Sequence, residues 1–101
     1  MTPTEIAAAE NSWATIVKLF PGNILGTSFL TAVKDLFPAL LFIPTGGVEL
    51  DKENISEWFK AGVCAVGMGS KLITKQLLQQ KNYAQIEELT KQALEIVKSV
   101  K

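Results

Sequence analysis

Three apolar runs, each closed by a turn rich in glycine or proline, limit what this chain can fold into. Residues 14–20 read ATIVKLF and meet Pro21-Gly22; residues 40–47 read LLFIPTGG; residues 63–70 read VCAVGMGS. Each run is apolar at consecutive positions, as strands are when both faces of a sheet are covered. Helical patterns lie between them. Thr2 can cap a helix reaching about Asn11, with Pro3 at its first position and Glu5 placed to close a capping box. Gly26-Thr27 opens a second helix, with Phe29, Leu30, Val33 and Leu36 on one stripe and Pro38 as its stop. Asp51 opens a third, whose apolar face holds Ile55, Trp58 and Phe59 and whose end is marked by Gly62. The rest is helical over 71–79, and again after Asn82, where Ile86, Leu89, Ala93, Ile96, Val97 and Val100 form one stripe. The predicted order is αβαβαβαα: one α/β unit over residues 1–101, with about three parallel strands between helices.

Charge and cysteine content remove several classes of function. Ten lysines balance ten acidic residues, and no arginine or histidine occurs. A nucleic-acid partner would call for a basic excess, so none is expected. A single cysteine, Cys64, and no imidazole give little to hold a metal. A lone cysteine also forms no internal disulfide and suits a reducing compartment. No apolar run approaches the roughly 18 residues of a membrane span. The first residues lack the basic-then-apolar form of a signal peptide. The expected location is the cytoplasm, with no membrane partner.

One feature resists the plain reading of these strands. Lys18 lies inside the first apolar run, and burying an unpaired ammonium costs several kcal/mol. The bland explanation is a lysine that snorkels from a strand end or guards an edge. Two glycine loops, Thr45-Gly46-Gly47 and Gly67-Met68-Gly69-Ser70, leave the other two runs at the same end of the sheet. Singly, such glycines are usually only turns. G-M-G-S-K-L lacks the third glycine of a dinucleotide fingerprint. Cys64, Trp58 and Phe59 read as packing residues. Together, however, a lysine and two glycine loops at the carboxyl ends of parallel strands form the usual place for a ligand. Glycines there let backbone N–H groups approach a phosphate.

Four ordered blocks make the pattern more specific. T-P-T-E-I at 2–6, V-K-L-F-P at 17–21, P-T-G-G-V at 44–48 and E-W-F-K-A-G-V-C-A-V-G-M-G-S at 57–70 span most of the chain. They closely resemble the 2-keto-3-deoxy-6-phosphogluconate (KDPG) aldolase family, which includes 4-hydroxy-2-oxoglutarate (KHG) aldolases. The resemblance implies a (β/α)8 barrel, usually a homotrimer. It also implies a class I aldolase, a carbon–carbon lyase that needs no metal or other cofactor and takes a phosphorylated keto acid to pyruvate. By that resemblance Lys18 is the Schiff-base nucleophile. Phe20 and Pro21 belong beside the pyruvyl site, and Thr45 is the site threonine. Gly46, Gly47, Gly69 and Ser70 hold the substrate phosphate, in the turns that follow barrel strands seven and eight. An amine nucleophile must be neutral, and an apolar setting favours that form. Alternation puts Ile16, Lys18 and Phe20 on one face, expected to be the barrel interior.

Two departures stand out. Trp13 occupies a position where the family usually has glycine, and it is expected to alter local packing without touching the chemistry. A whole barrel needs eight strands and at least roughly 200 residues, and only three runs are present. The chain therefore reads as the C-terminal half of a barrel. The general acid/base glutamate and carboxylate-binding arginine of the family fall in the N-terminal half, and no residue here takes those roles. The expected partners are the substrate, pyruvate, and further copies of the chain or the missing half. The alternative is a non-catalytic half-barrel module for phosphate binding or assembly.

Overall fold

The computed structural model describes every residue from Met1 to Lys101. Strands β1 (Ile16–Leu19) and β2 (Leu41–Pro44) pair in parallel, with Ile16 opposite Leu41 and Leu19 opposite Pro44. Around them lie α1 (Pro3–Asn11), α2 (Gly22–Leu36), α3 (Lys52–Ala61), α4 (Lys75–Gln79) and α5 (Tyr83–Val100). The third apolar run follows β2 on its far side. The Cys64 N–H donates to the Phe42 carbonyl at 3.1 Å and the Gly67 N–H to that of Pro44 at 2.8 Å. Only one bridge, Thr45 with Gly67, forms there. A third parallel line thus exists, but it is too weakly paired to be a full strand. Gly67 and Gly69 offer no side chains to pack, and nothing pairs with its outer edge.

The helix signals are realised by side-chain caps. Thr2 accepts from the Glu5 N–H at 3.2 Å, Asp51 from Asn54 at 3.1 Å and Asn82 from Gln85 at 3.2 Å. Two boundaries differ from expectation. Helix α2 starts at Gly22, one turn early, and is interrupted by non-helical backbone at Gly26. The reason is tertiary: the N–H groups of Gly22 and Asn23 bond the carbonyls of Thr45 (2.7 Å) and Gly46 (2.9 Å), so the chain coils directly off β1. Residues 70–73 are a turn rather than helix, and α4 begins only after Thr74, which caps the Leu77 N–H at 3.1 Å.

Burial is one-sided. Val17, Leu19 and Phe42 pack with Leu30, Val33, Ile55 and Trp58 into a single core beneath the helices. On the opposite face Ile16 and Leu41 are 50% and 45% exposed, alongside exposed Lys18 and Phe20. The consecutive apolar positions therefore correspond to two layers, of which this chain covers one. Leu36, expected on the α2 stripe, is also exposed.

Trp13 does not pack at all; it is 92% exposed with φ of 70°. The end of α1 explains this. The Trp13 N–H donates to the Glu10 carbonyl and the Ala14 N–H to that of Ala9, both at 3.0 Å, which is the paired bonding of a Schellman motif. That motif needs a left-handed residue at Trp13. Helix α3 ends in the same way, with Gly62 at φ of 107° in the equivalent place. A left-handed L-residue costs roughly 1–2 kcal/mol, while glycine adds unfolded-state entropy worth about 0.4–1 kcal/mol. Relief of strain wins, so Trp13→Gly is expected to stabilise the chain by about 0.5–1 kcal/mol. A lower melting temperature for this variant would refute the strain account.

Candidate active site

The strand order brings three carboxyl ends together. Leu19 ends β1, Pro44 ends β2 and is its register partner, and Gly67 bridges the next residue, Thr45. The Thr45 N–H donates to the Leu19 carbonyl at 2.9 Å, locking the second loop onto the first strand. The result is a cleft of about 190 Å3 lined by Phe20, Thr45–Val48 and Gly67–Lys71. Six of the eight expected site residues meet there: Phe20, Thr45, Gly46, Gly47, Gly69 and Ser70.

Several backbone donors of this cleft have no backbone acceptor. The N–H groups of Gly46, Gly47, Gly69, Ser70 and Lys71 donate to no backbone carbonyl. The carbonyls of Thr45, Gly46 and Gly69 are turned away into bonds with Gly22, Asn23, Leu72 and Ile73. Gly47 has a specific steric role: its φ is +72°, and a Cβ there would collide with the Asn23 side chain packed behind it. Gly69 is different, for no atom lies within 4 Å of the place its Cβ would take.

Lys18 and Pro21 do not line the cleft. Pro21 supports it from behind as the residue before α2, its carbonyl accepting from Ile24 at 3.2 Å and Leu25 at 3.1 Å. Lys18 extends from β1 on the same face as Phe20, and its Nζ lies 5.7 Å from the centre of that ring. Phe20 is thus the link between lysine and cleft. The apolar enclosure expected for Lys18 is not formed by this chain. Alternation sends Val17 and Leu19 into the core, leaving the ammonium exposed and hydrated. Cys64 is only half-buried, its thiol 3.5 Å from the Phe42 carbonyl. No group of three His, Cys, Asp or Glu side chains is close enough to hold a metal ion. No helix is long and apolar enough to cross a membrane.

Sequence reasoning missed Lys71, the one ionisable side chain in the lining. Its signal was present, directly after Ser70 in G-M-G-S-K, but a lysine after a glycine turn looks like any solvated charge. Val48, Gly67 and Met68 were likewise inside quoted motifs without an assigned role.

Parallel strands alternating with helices, with glycine loops at the strand carboxyl ends, are consistent with a portion of a (β/α)8 barrel. The family model described as "KDPG and KHG aldolase" matches residues 1–89, and the chain belongs to that family. It is 34% identical over 96 residues to the 2-dehydro-3-deoxy-phosphogluconate aldolase of Treponema pallidum (strain Nichols), covering 93% of this chain and 44% of that protein. An enzyme of the same name from Pseudomonas aeruginosa is 36% identical over 80 residues, 77% of this chain and 35% of the relative. A solved structure described as native KDPGal superposes with a TM-score of 0.74 at 28% identity, covering 96% of this chain and 47% of the other. The chain thus spans under half the length of these relatives.

Proposed function

We propose that these residues form the Schiff-base and phosphate-binding half of a class I aldolase site, carried on the C-terminal half of a (β/α)8 barrel. The substrate of the whole enzyme is KDPG, cleaved to pyruvate and glyceraldehyde 3-phosphate. The observation that supports this reading is the shared face of Lys18 and Phe20: the amine lies 5.7 Å from the centre of a ring that itself lines the cleft. Neutral Lys18 would attack the substrate ketone, forming a carbinolamine that loses water to give an iminium. As a base takes the proton of the C4 hydroxyl, the C3–C4 bond breaks, its electron pair moves into the iminium to leave an enamine, and C4 departs as the aldehyde. Protonation of the enamine and hydrolysis then release pyruvate and the free lysine. The acid/base group for these proton transfers belongs to the other half of the barrel. Such a site needs that half over the exposed face. Pyruvate released from KDPG, measured in a coupled assay with and without the complementary half of a relative, tests the proposal. No pyruvate under either condition would overturn it in favour of a non-catalytic phosphate-binding or assembly module, a reading that the exposure of Lys18 favours.

The phosphate half of the proposal has its own test in two glycines. Gly47→Ala is expected to destabilise the chain by about 2–4 kcal/mol, through left-handed strain and the clash with Asn23. Gly69→Val has open space around its Cβ, so it should leave the melt unchanged while weakening inorganic phosphate about tenfold by crowding the donors. Equal phosphate affinity in Gly69→Val, measured by calorimetric titration, would show that the loops are only turns.

A further inference from the structure

The cleft carries one charged group, and that group already has a competing partner. Lys71 Nζ lies 3.4 Å from Glu49 Oε1, and the two side chains are 51% and 48% exposed. Lys71 lines the cleft; Glu49 does not. The two residues come from different loops. Glu49 follows the Thr45-Gly46-Gly47 turn, and its own N–H is fixed by Asn54 Oδ1 at 3.0 Å. Lys71 sits in the turn held by the Leu72 and Ile73 N–H groups, which donate to the Gly69 carbonyl at 2.9 and 2.8 Å. The ion pair therefore ties the two loops together at the edge of the cleft, next to N–H groups that bond no backbone carbonyl.

A half-exposed lysine–carboxylate pair is weakly favourable, because both ions remain well hydrated. A phosphomonoester dianion inside the cleft would offer the same ammonium more charge, and it would do so beside several N–H donors. We infer that Lys71 is the side-chain cation of the phosphate subsite and that Glu49 gates it, holding the ammonium at the rim until a dianion takes it over. This rests on the phosphate reading of the cleft given above and adds a residue and a control to it. The device selects for charge as well as shape. A carboxylate-ended or uncharged ligand of the same length lacks the second charge needed to draw Lys71 from Glu49. It therefore meets the backbone donors alone.

Titration of inorganic phosphate into the full 101-residue chain tests the inference, with melting curves to verify that each variant is folded. Lys71→Met should weaken phosphate about tenfold, and Lys71→Arg should restore affinity to within about threefold of the parent. Glu49→Gln should tighten binding about threefold by releasing the ammonium. If Lys71→Met binds as the parent does while Gly69→Val is weakened, the cleft is real and the role given to Lys71 is wrong. Weakened binding in Glu49→Gln would make the pair a simple strut between loops and overturn the gate. If neither Gly69→Val nor Lys71→Met changes the affinity, the phosphate reading itself falls, and this inference with it.

Discussion

Lys18→Ala is expected to abolish the trapping of pyruvate by borohydride and to leave the melting of the chain unchanged. In the parent chain the same treatment should place one reduced pyruvyl group on Lys18 in preference to the other nine lysines. Two features of the structure bear on this. The side chain is exposed, so neither access nor folding limits the experiment. The Phe20 ring, 5.7 Å from Nζ, is placed to cover one side of a pyruvyl adduct. Labelling in the isolated chain should be slow, because nothing on this open face shields the adduct from water, and faster once the face is covered. Peptide mass spectrometry decides the matter. Labelling spread evenly over all ten lysines would remove Lys18 from its proposed role.

The second large effect concerns association. The accessible surface is 6462 Å2, against about 5,600 Å2 for a compact monomer of 11.0 kDa. The radius of gyration, 14.8 Å, likewise exceeds the roughly 12.7 Å of a compact domain this long. The uncovered sheet face is part of that surface, with Ile16, Phe20 and Leu41 50%, 57% and 45% exposed. Covering each of them contributes about 1 kcal/mol, which is a large gain for a chain whose total stability is of order 5–15 kcal/mol. The outer edge of β1 adds unpaired backbone groups that invite pairing. At micromolar concentration the chain should therefore scatter light as an oligomer, and Ile16→Lys with Leu41→Lys should shift it toward monomer. A monodisperse 11.0 kDa species with a sharp cooperative melt would show that the uncovered face needs no partner.

Much of this molecule is written in local chemistry, and those parts are visible in the sequence. Thr2, Asp51 and Asn82 cap helices because a short polar side chain reaches a nearby N–H whatever the rest of the fold does. Gly62 ends α3 for an equally local reason. The alternation in β1 was enough to put Lys18 and Phe20 on one side and Val17 and Leu19 on the other. The motifs around Lys18, Thr45-Gly46-Gly47 and Gly69-Ser70 identified the family, and their positions at strand ends placed the glycine cleft.

Tertiary structure alone decided the rest, because each remaining feature depends on groups far apart in the chain. The early start of α2 needs the Thr45 and Gly46 carbonyls, which no pattern within residues 20–26 contains. Whether Lys18 is buried depends on which side of the sheet the helices cover, and apolar character at consecutive positions is the same for a covered face and a waiting one. The third run resembles the first two in composition, yet it forms a single bridge because its outer edge has no partner strand. The Lys71–Glu49 pair joins residues 22 positions apart, which meet only after β2 and the third run lie side by side. Sequence determined which local structures form and what chemistry they carry; packing determined which faces are left open and which charges meet.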